Sequence, residues 1–159
     1  MDFRYTTHQY KIFKTESEEH PILLEPWDTK KAGLLLKNER RKGNKQVIIT
    51  LEVAIAMIRD MYLNQYARIS KLEFTDIDSK TQEEITQLIQ QTNQNAAYLL
   101  ELVEYLNRMT KQSSINFLRL HIEEQKCFCI QVDGVCFLNE CVSDTVIDKL
   151  KKVIGQQIK

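Results

Sequence analysis

Residues 116–139, NFLRLHIEEQKCFCIQVDGVCFLN, carry three β-rich runs divided by turn chemistry. Asn116 to Ile122, Lys126 to Val132 and Val135 to Asn139 read as an antiparallel meander, with Asp133-Gly134 the strongest hairpin signal in the chain. A two-residue turn there sets Val132 opposite Val135, Ile130 opposite Phe137 and Gln131 opposite Cys136. One face then holds Phe128, Ile130, Val132, Val135 and Phe137, while Cys127, Cys129, Gln131, Cys136, Leu138 and Glu140 take the other. In the preceding hairpin, a three-residue loop at Glu123 to Gln125 aligns Leu120 with Phe128 and Leu118 with Ile130. A two-residue loop would instead put His121 beside Phe128 and Arg119 beside Ile130. The first register buries the leucines and is preferred; it gathers Phe117, Arg119, His121, Cys127, Cys129 and Cys136 on the non-core face.

One His and three Cys on a sheet face are ligand types that zinc prefers. The spacing argues against a site, because structural zinc takes pairs two to four residues apart at a turn that wraps the ion, and Cys127 and Cys129 lie mid-strand. The cysteines read as free thiols packed as small hydrophobes, with Cys141 outside the ladder. No metal and no cofactor is expected.

Before the meander, Thr81 to Thr110 places Ile85, Ile89, Thr92, Ala96, Leu99, Val103 and Leu106 at alternating steps of four and three, one stripe of a long helix. Thr81 with Glu84 suggests a capping box, and Arg108 and Lys111 suit the other end. The polar run Gln90 to Asn95 marks a kink or a division into two helices, because Asn favours caps over helix interiors. The second half is apolar on more than one face. It is expected either to lie centrally in the monomer or to offer an interface of Tyr98, Leu99, Leu102, Tyr105 and Leu106.

The amino-terminal fifty residues read as a β-rich portion. Residues 3–13 suggest one bent strand or two short ones, Glu16 to Pro21 a loop, and Ile22-Leu23-Leu24 a short edge strand, with Trp27 a core plug. Gly33 to Leu36 and Gln46 to Ile49 suggest a hairpin around a polar tip. Thr50 is a good N-cap for a helix ending near Tyr66, a strand follows over 67–76, and Ser143-Asp144 caps a last helix bearing Val146, Ile147, Leu150, Val153 and Ile154.

Composition sets outer bounds. A chain of 159 residues with 43% hydrophobic and 28% charged residues, four Gly and two Pro suits a single ordered domain. Lys plus Arg and Asp plus Glu number 22 each, so no global charge draws the chain to nucleic acid or membrane. The start, MDFRYTTHQY, lacks a signal-peptide core, and no run reaches the ~20 apolar residues of a membrane span. A cytoplasmic protein with reduced thiols is expected.

Charge is concentrated locally. Thr29 to Lys45 holds seven basic residues against Glu39, a local charge of +6, and follows five acids between Glu16 and Asp28. Lys37, Arg40, Arg41, Lys42 and Lys45 at a hairpin tip could rest on phosphates, although the tip has no aromatic to stack on a base. The competing reading is a solvated turn neutralised by the acidic loop. Glu124-Gln125-Lys126 has an acid-x-Lys spacing found in some metal-dependent nucleases but no partner Asp, and His8 and His20 are isolated. G-x-S-x-G, P-loop and dinucleotide fingerprints are absent from the sequence.

These readings combine into one α+β domain: an antiparallel sheet including the carboxyl-terminal meander, packed by a helix near 51–66, a long or kinked central helix and a carboxyl-terminal helix. The expected function is a non-enzymatic protein-interaction or regulatory adaptor, self-associating as a homodimer through the Tyr98 to Leu106 region. The alternative is a nucleic-acid-binding accessory protein using the basic tip. Fold analogy with small sensor and adaptor domains, which share the strand-strand-strand-helix ending, does not decide between them.

Overall fold

The computed structural model describes residues 8–112, 116–124, 127–139 and 142–158, and of Cys127 only the backbone. Its elements are β1 (His8–Lys14), β2 (Ile22–Pro26), α1 (Ala32–Arg41), β3 (Lys45–Gln46), α2 (Leu51–Leu63), β4 (Arg68–Thr75), α3 (Ser79–Gln94), α4 (Leu99–Met109), β5 (Asn116–Glu123), β6 (Cys127–Gln131), β7 (Val135–Leu138) and α5 (Asp144–Gln157). The fold is α+β. An open antiparallel sheet runs in the order β2-β1-β7-β6-β5-β4, with β3 also paired to β1. Helices α2 to α5 pack their apolar stripes with the sheet in one core that includes Ile12, Met57, Ile58, Leu72, Leu102, Leu120 and Ile154.

The meander forms, but both of its registers differ from the expected ones. Between β6 and β7 the pairs are Cys129 with Phe137 and Ile130 with Cys136, one residue away from the register of a two-residue turn. The loop has three residues, Val132 to Gly134, with Gly134 at φ +81° and its N–H donating to Gln131 O at 3.0 Å. This is the other common solution for a hairpin with glycine at its last loop position. Because side chains alternate along a strand, a slip of one exchanges the faces of β7. Cys136 enters the core at 2% exposure and Phe137 joins Cys129 on the opposite face.

Between β5 and β6, Leu120 pairs with Ile130 and Ile122 with Phe128. The loop therefore sits one residue later than Glu123 to Gln125, which preserves the expected faces and buries the leucines. Phe117 departs from its expected face. The β4–β5 pairing shifts between Glu73 and Phe74, which brings Phe117 opposite Phe74, and the two rings meet edge to face at 6.1 Å inside the core.

Two amino-terminal expectations are corrected. Residues 32–41 form helix α1 and not a hairpin strand with its tip. The stretch AGLLLKNERR contains no β-branched residue and is rich in straight-chain helix formers, which outweighs the three-leucine run. Its end is also marked: Gly43, at φ +83°, donates to Arg40 O at 3.0 Å and Asn44 donates to Glu39 O at 2.9 Å, a Schellman ending. Trp27 is not a core plug; it is half-buried beside Lys11.

The long helix is two helices. Asp78, not Thr81, caps the first, accepting from Thr81 N–H at 2.6 Å. Asn95 leaves helical geometry at φ −150°, ψ 111°, and its side chain accepts from Ala97 N–H as the chain re-enters helix. Thr92, the polar member of the stripe, is buried and satisfies itself by donating to Leu88 O at 2.7 Å.

The polar run has a further use at Asn93. Strand β4 ends the order of the sheet, and Ile69 turns its backbone groups away from β5. Asn93 Nδ2 donates to Ile69 O at 2.9 Å, Ile69 N–H donates to Tyr62 Oη at 3.2 Å, and Tyr62 Oη donates to Asn93 Oδ1. An asparagine and a tyrosine thus stand in for a neighbouring strand, at a place where unpaired edge groups would be costly or would recruit another chain. Asn93→Ala is expected to lower unfolding free energy in urea by about 1–3 kcal/mol, because it strands two polar groups. Faster amide exchange at Ile69 in Tyr62→Phe would confirm the arrangement; unchanged stability and exchange would refute it.

Candidate functional site

Helix α1 and its flanks carry a run of exposed cations, Lys31, Lys37, Arg40, Arg41 and Lys42. Counting from Leu34, Lys31 lies three residues before, Lys37 three after and Arg41 seven after, so the four form one stripe along the helix. All four are exposed, and Leu34 retains 62% of its accessible surface, much as Leu63 and Leu100 do on other helices; what sets Leu34 apart is the cations at helical spacing on either side of it. Of the ten residues of α1 only Glu39 is buried. Its carboxylate accepts from Asn44 Nδ2 at 2.6 Å and pairs with Lys42 Nζ at 3.3 Å, which ties the helix to the turn after it.

The helix borders an open cleft of about 750 Å³ whose lining includes Tyr10, Pro26, Trp27, Asp28, Lys31 and Leu34. Trp27 is positioned from beneath. Lys11 Nζ lies 5.1 Å from its ring centroid and donates to Asp133 O at 2.5 Å. Burial holds the Lys11 ammonium below the usual lysine range, against the nearby Asp133 carboxylate, which favours the charged form. Strand β1 supplies Tyr10 and Lys11, the β2 exit supplies Pro26 and Trp27, and α1 closes one side.

A second cluster lies on the face of the sheet opposite the core. Glu73 Oε1 is 3.3 Å from Lys71 Nζ, and its Oε2 is 3.0 Å from His121 Nε2 and 3.4 Å from Arg119 Nη1. Burial disfavours the Glu73 charge, but His121 and Lys71 outweigh it and hold the carboxyl below its ordinary value of 4.5. Gln131, with its amide oriented to suit its neighbours, accepts from Arg119 Nε at 2.9 Å and donates to Asp133 at 3.2 Å. The arrangement is a charge network centred on the Glu73 carboxylate.

The structure separates several residues that the sequence placed together. Arg119, His121 and Cys129 do share the non-core face, but Cys136 and Phe117 are on the other side. Cys127's side chain and Cys141 lie outside the described residues. Burial pushes the Cys129 thiol up to about 11 and raises that of Cys136 as well, so both are held protonated and neither is an activated nucleophile. Among the described residues, no group of three His, Cys, Asp or Glu is placed to hold a metal ion. Glu124 is engaged by Ser143 N–H at 3.2 Å, so the acid of the acid-x-Lys spacing supports the approach to α5; Gln125 and Lys126 fall outside the described residues. His20 belongs to a local turn with Thr15 and Ser17.

Of the expected interface on α4, the three leucines lie inside the monomer, while Tyr98 is exposed and Tyr105 is half-buried. Leu99, Leu102 and Leu106 are 8%, 0% and 0% exposed, because α4 packs between α2 and α3. Tyr105 donates to Glu84 at 2.5 Å, and Tyr98 sits in the turn before α4. The surplus leucine that does face outward is Leu100. Lys37, Arg40, Arg41 and Lys42 are exposed on α1 or at its end, and Lys45 is exposed in β3, so the cations share a region without forming a hairpin tip. Tyr10, Trp27 and Leu34 were not singled out as site residues. The spacing Lys31-Leu34-Lys37-Arg41 was the available signal, and it is visible only once 32–41 is read as a helix.

Comparison with protein-family models, curated proteins and solved structures finds no match. No helix among the described residues is long and apolar enough to cross a membrane.

The Glu73 network has a pH signature of defined sign. A carboxyl with a depressed folded-state pKa contributes stability that is complete above its unfolded value and lost as pH falls through the folded one. Urea unfolding between pH 6 and pH 3 is therefore expected to show a steeper acid-side loss for the natural chain than for Glu73→Gln, by up to about 1 kcal/mol. Superimposable pH profiles would show that the network contributes nothing.

Proposed function

We propose that the chain is a non-enzymatic interaction module whose partner docks on α1 and the adjoining Tyr10–Trp27 cleft. The observation that carries this reading is Leu34, 62% exposed within a basic helical stripe and lining the cleft that also holds Tyr10 and Trp27. Exposed single leucines are common, but one flanked by cations beside half-buried aromatic rings has the make-up of a docking site. The thiols of Cys129 and Cys136, held protonated by burial, support a binding role over nucleophilic catalysis by either of them. Self-association through α4 does not form part of this reading, because its leucines are inside the monomer.

Nucleic acid is the second reading. It is favoured by Tyr10 and Trp27, which place stacking surface beside the cations that a hairpin tip would have lacked.

Site-directed crosslinking tests the location. A photoreactive side chain at position 34 is expected to give partner adducts in extract of the native source, and Lys37→Glu with Arg41→Glu is expected to reduce them about tenfold at low salt. The same group at Leu63, equally exposed but remote in sequence, is the control. Adducts at 34 no more frequent than at 63, or indifferent to the charge reversals, would remove α1 as the docking surface.

A further inference from the structure

The occupant of the α1 cleft can be narrowed by charge and dimensions. The helix is ten residues long, or about 15 Å, so its cationic stripe is short. Carboxylates limit it at both ends. Asp28 lies at the start, accepting from Lys30 N–H at 3.0 Å and lining the cleft. Glu16 lies at the other end, with its Oε1 only 3.0 Å from where a Cβ on Gly43 would stand. A phosphate backbone running on past α1 would meet the Glu16 carboxylate beside Gly43. Continuous neutralisation of phosphates, the main source of nucleic-acid affinity, is therefore interrupted after one helix length.

The middle of the stripe is also wrong for phosphates and right for a peptide. Leu34, between Lys31 and Lys37, lines the cleft together with Pro26 and offers apolar contact there, and the Lys11 amine near Trp27 is committed to Asp133 O. A ligand that satisfies all of these features carries acids at its flanks to meet Lys31, Lys37 and Arg41, and one apolar side chain between them to enter the cleft over Pro26 and Trp27. Resting on the reading of α1 as the docking surface, we infer that the partner presents a short acidic segment with a single large apolar anchor. The two ingredients divide the work: steering and orientation come from the charges, and discrimination comes from the anchor.

The test uses the full chain, isotopically labelled, and follows backbone amide signals by NMR. The first probe is a peptide of about ten Glu and Asp residues, matched to the helix length, with one central Leu. The second has Ala in place of that Leu, the third is a single-stranded oligodeoxynucleotide of similar length, and the fourth is a vesicle containing anionic lipid. The Leu peptide is expected to move signals of α1 and of Tyr10 to Asp28, and to bind roughly tenfold more tightly than the Ala peptide, as burial of one leucine implies. Leu34→Ala, an exposed change that leaves the core intact, is expected to abolish most of that difference; Lys37→Glu with Arg41→Glu is expected to weaken both peptides. Equal binding of the two peptides, or tighter binding of the oligonucleotide or vesicle at the same signals, overturns the acidic-anchor inference and leaves α1 as a docking surface. If none of the four probes moves an α1 or cleft signal, the docking surface and its occupant both fall.

Discussion

The two halves of this chain are joined at the turn between β6 and β7, and the geometry of Gly134 governs that junction. With φ at +81°, and with Val47 O only 2.3 Å from where a Cβ would lie, position 134 admits only glycine without displacement of backbone. Its carbonyl accepts from Ile12 N–H at 2.9 Å, Val135 pairs with Lys11, and Lys11 Nζ bonds to Asp133 O. The amino-terminal strands are thereby tied to the carboxyl-terminal meander at a crowded turn that continues into the β1–β7 ladder, His8 to Lys11 against Val135 to Leu138. Ile49 N–H adds a bond to Val132 O at 2.8 Å just before α2 begins, so the path into the first core helix depends on the same turn. A register change here would alter the core face of β7, the seating of β1 and the platform beneath Trp27 together.

Polar residues at the helix break have comparable reach. Asn95 divides α3 from α4, and Asn93 seals the edge of β4 with Tyr62. Without the break, the stripe would run straight on, and α4 could not turn its leucines between α2 and α3. Sequence propensity treats this run as a weak point of a helix. In the folded chain it is where the helix layer gains both its bend and its grip on the sheet.

The pattern of what was legible follows from how local each signal is. Strands β5, β6 and β7, helix α5 with its Ser143 cap, and the Thr50 cap of α2 all announce themselves within a few residues, and all are present. Registers were less accessible, because two-residue and three-residue turns ending in glycine differ only in how the turn meets its surroundings. Here Val47 and Ile12 decide, and both are more than eighty residues away. The burial of the α4 leucines was inaccessible for a related reason: a broad apolar helix looks the same whether its second face meets a partner or α2. Helix α1 is poorly legible locally, since its three consecutive leucines resemble a strand and only the Gly43-Asn44 ending marks a helix. The candidate site is hidden with it, because its spacing is meaningful only at the helical period.

The contrast between how α1 is ordered and how it is packed bears on its role. Its order is local: Asp28 holds the turn before it, and the Schellman ending with Glu39, Lys42 and Asn44 holds the turn after it. The other long helices gain stability by burying an apolar stripe, yet α1 buries only a carboxylate and leaves a leucine in water. Local bonds of this kind are among the first to open when a protein fluctuates, since few apolar contacts oppose the opening. A ligand filling the Leu34–Trp27 cleft would supply the missing apolar contact and would therefore stabilise α1 as it binds. Affinity and local order are then linked, because any ligand that binds the formed helix better than the open one must shift the equilibrium toward the formed helix.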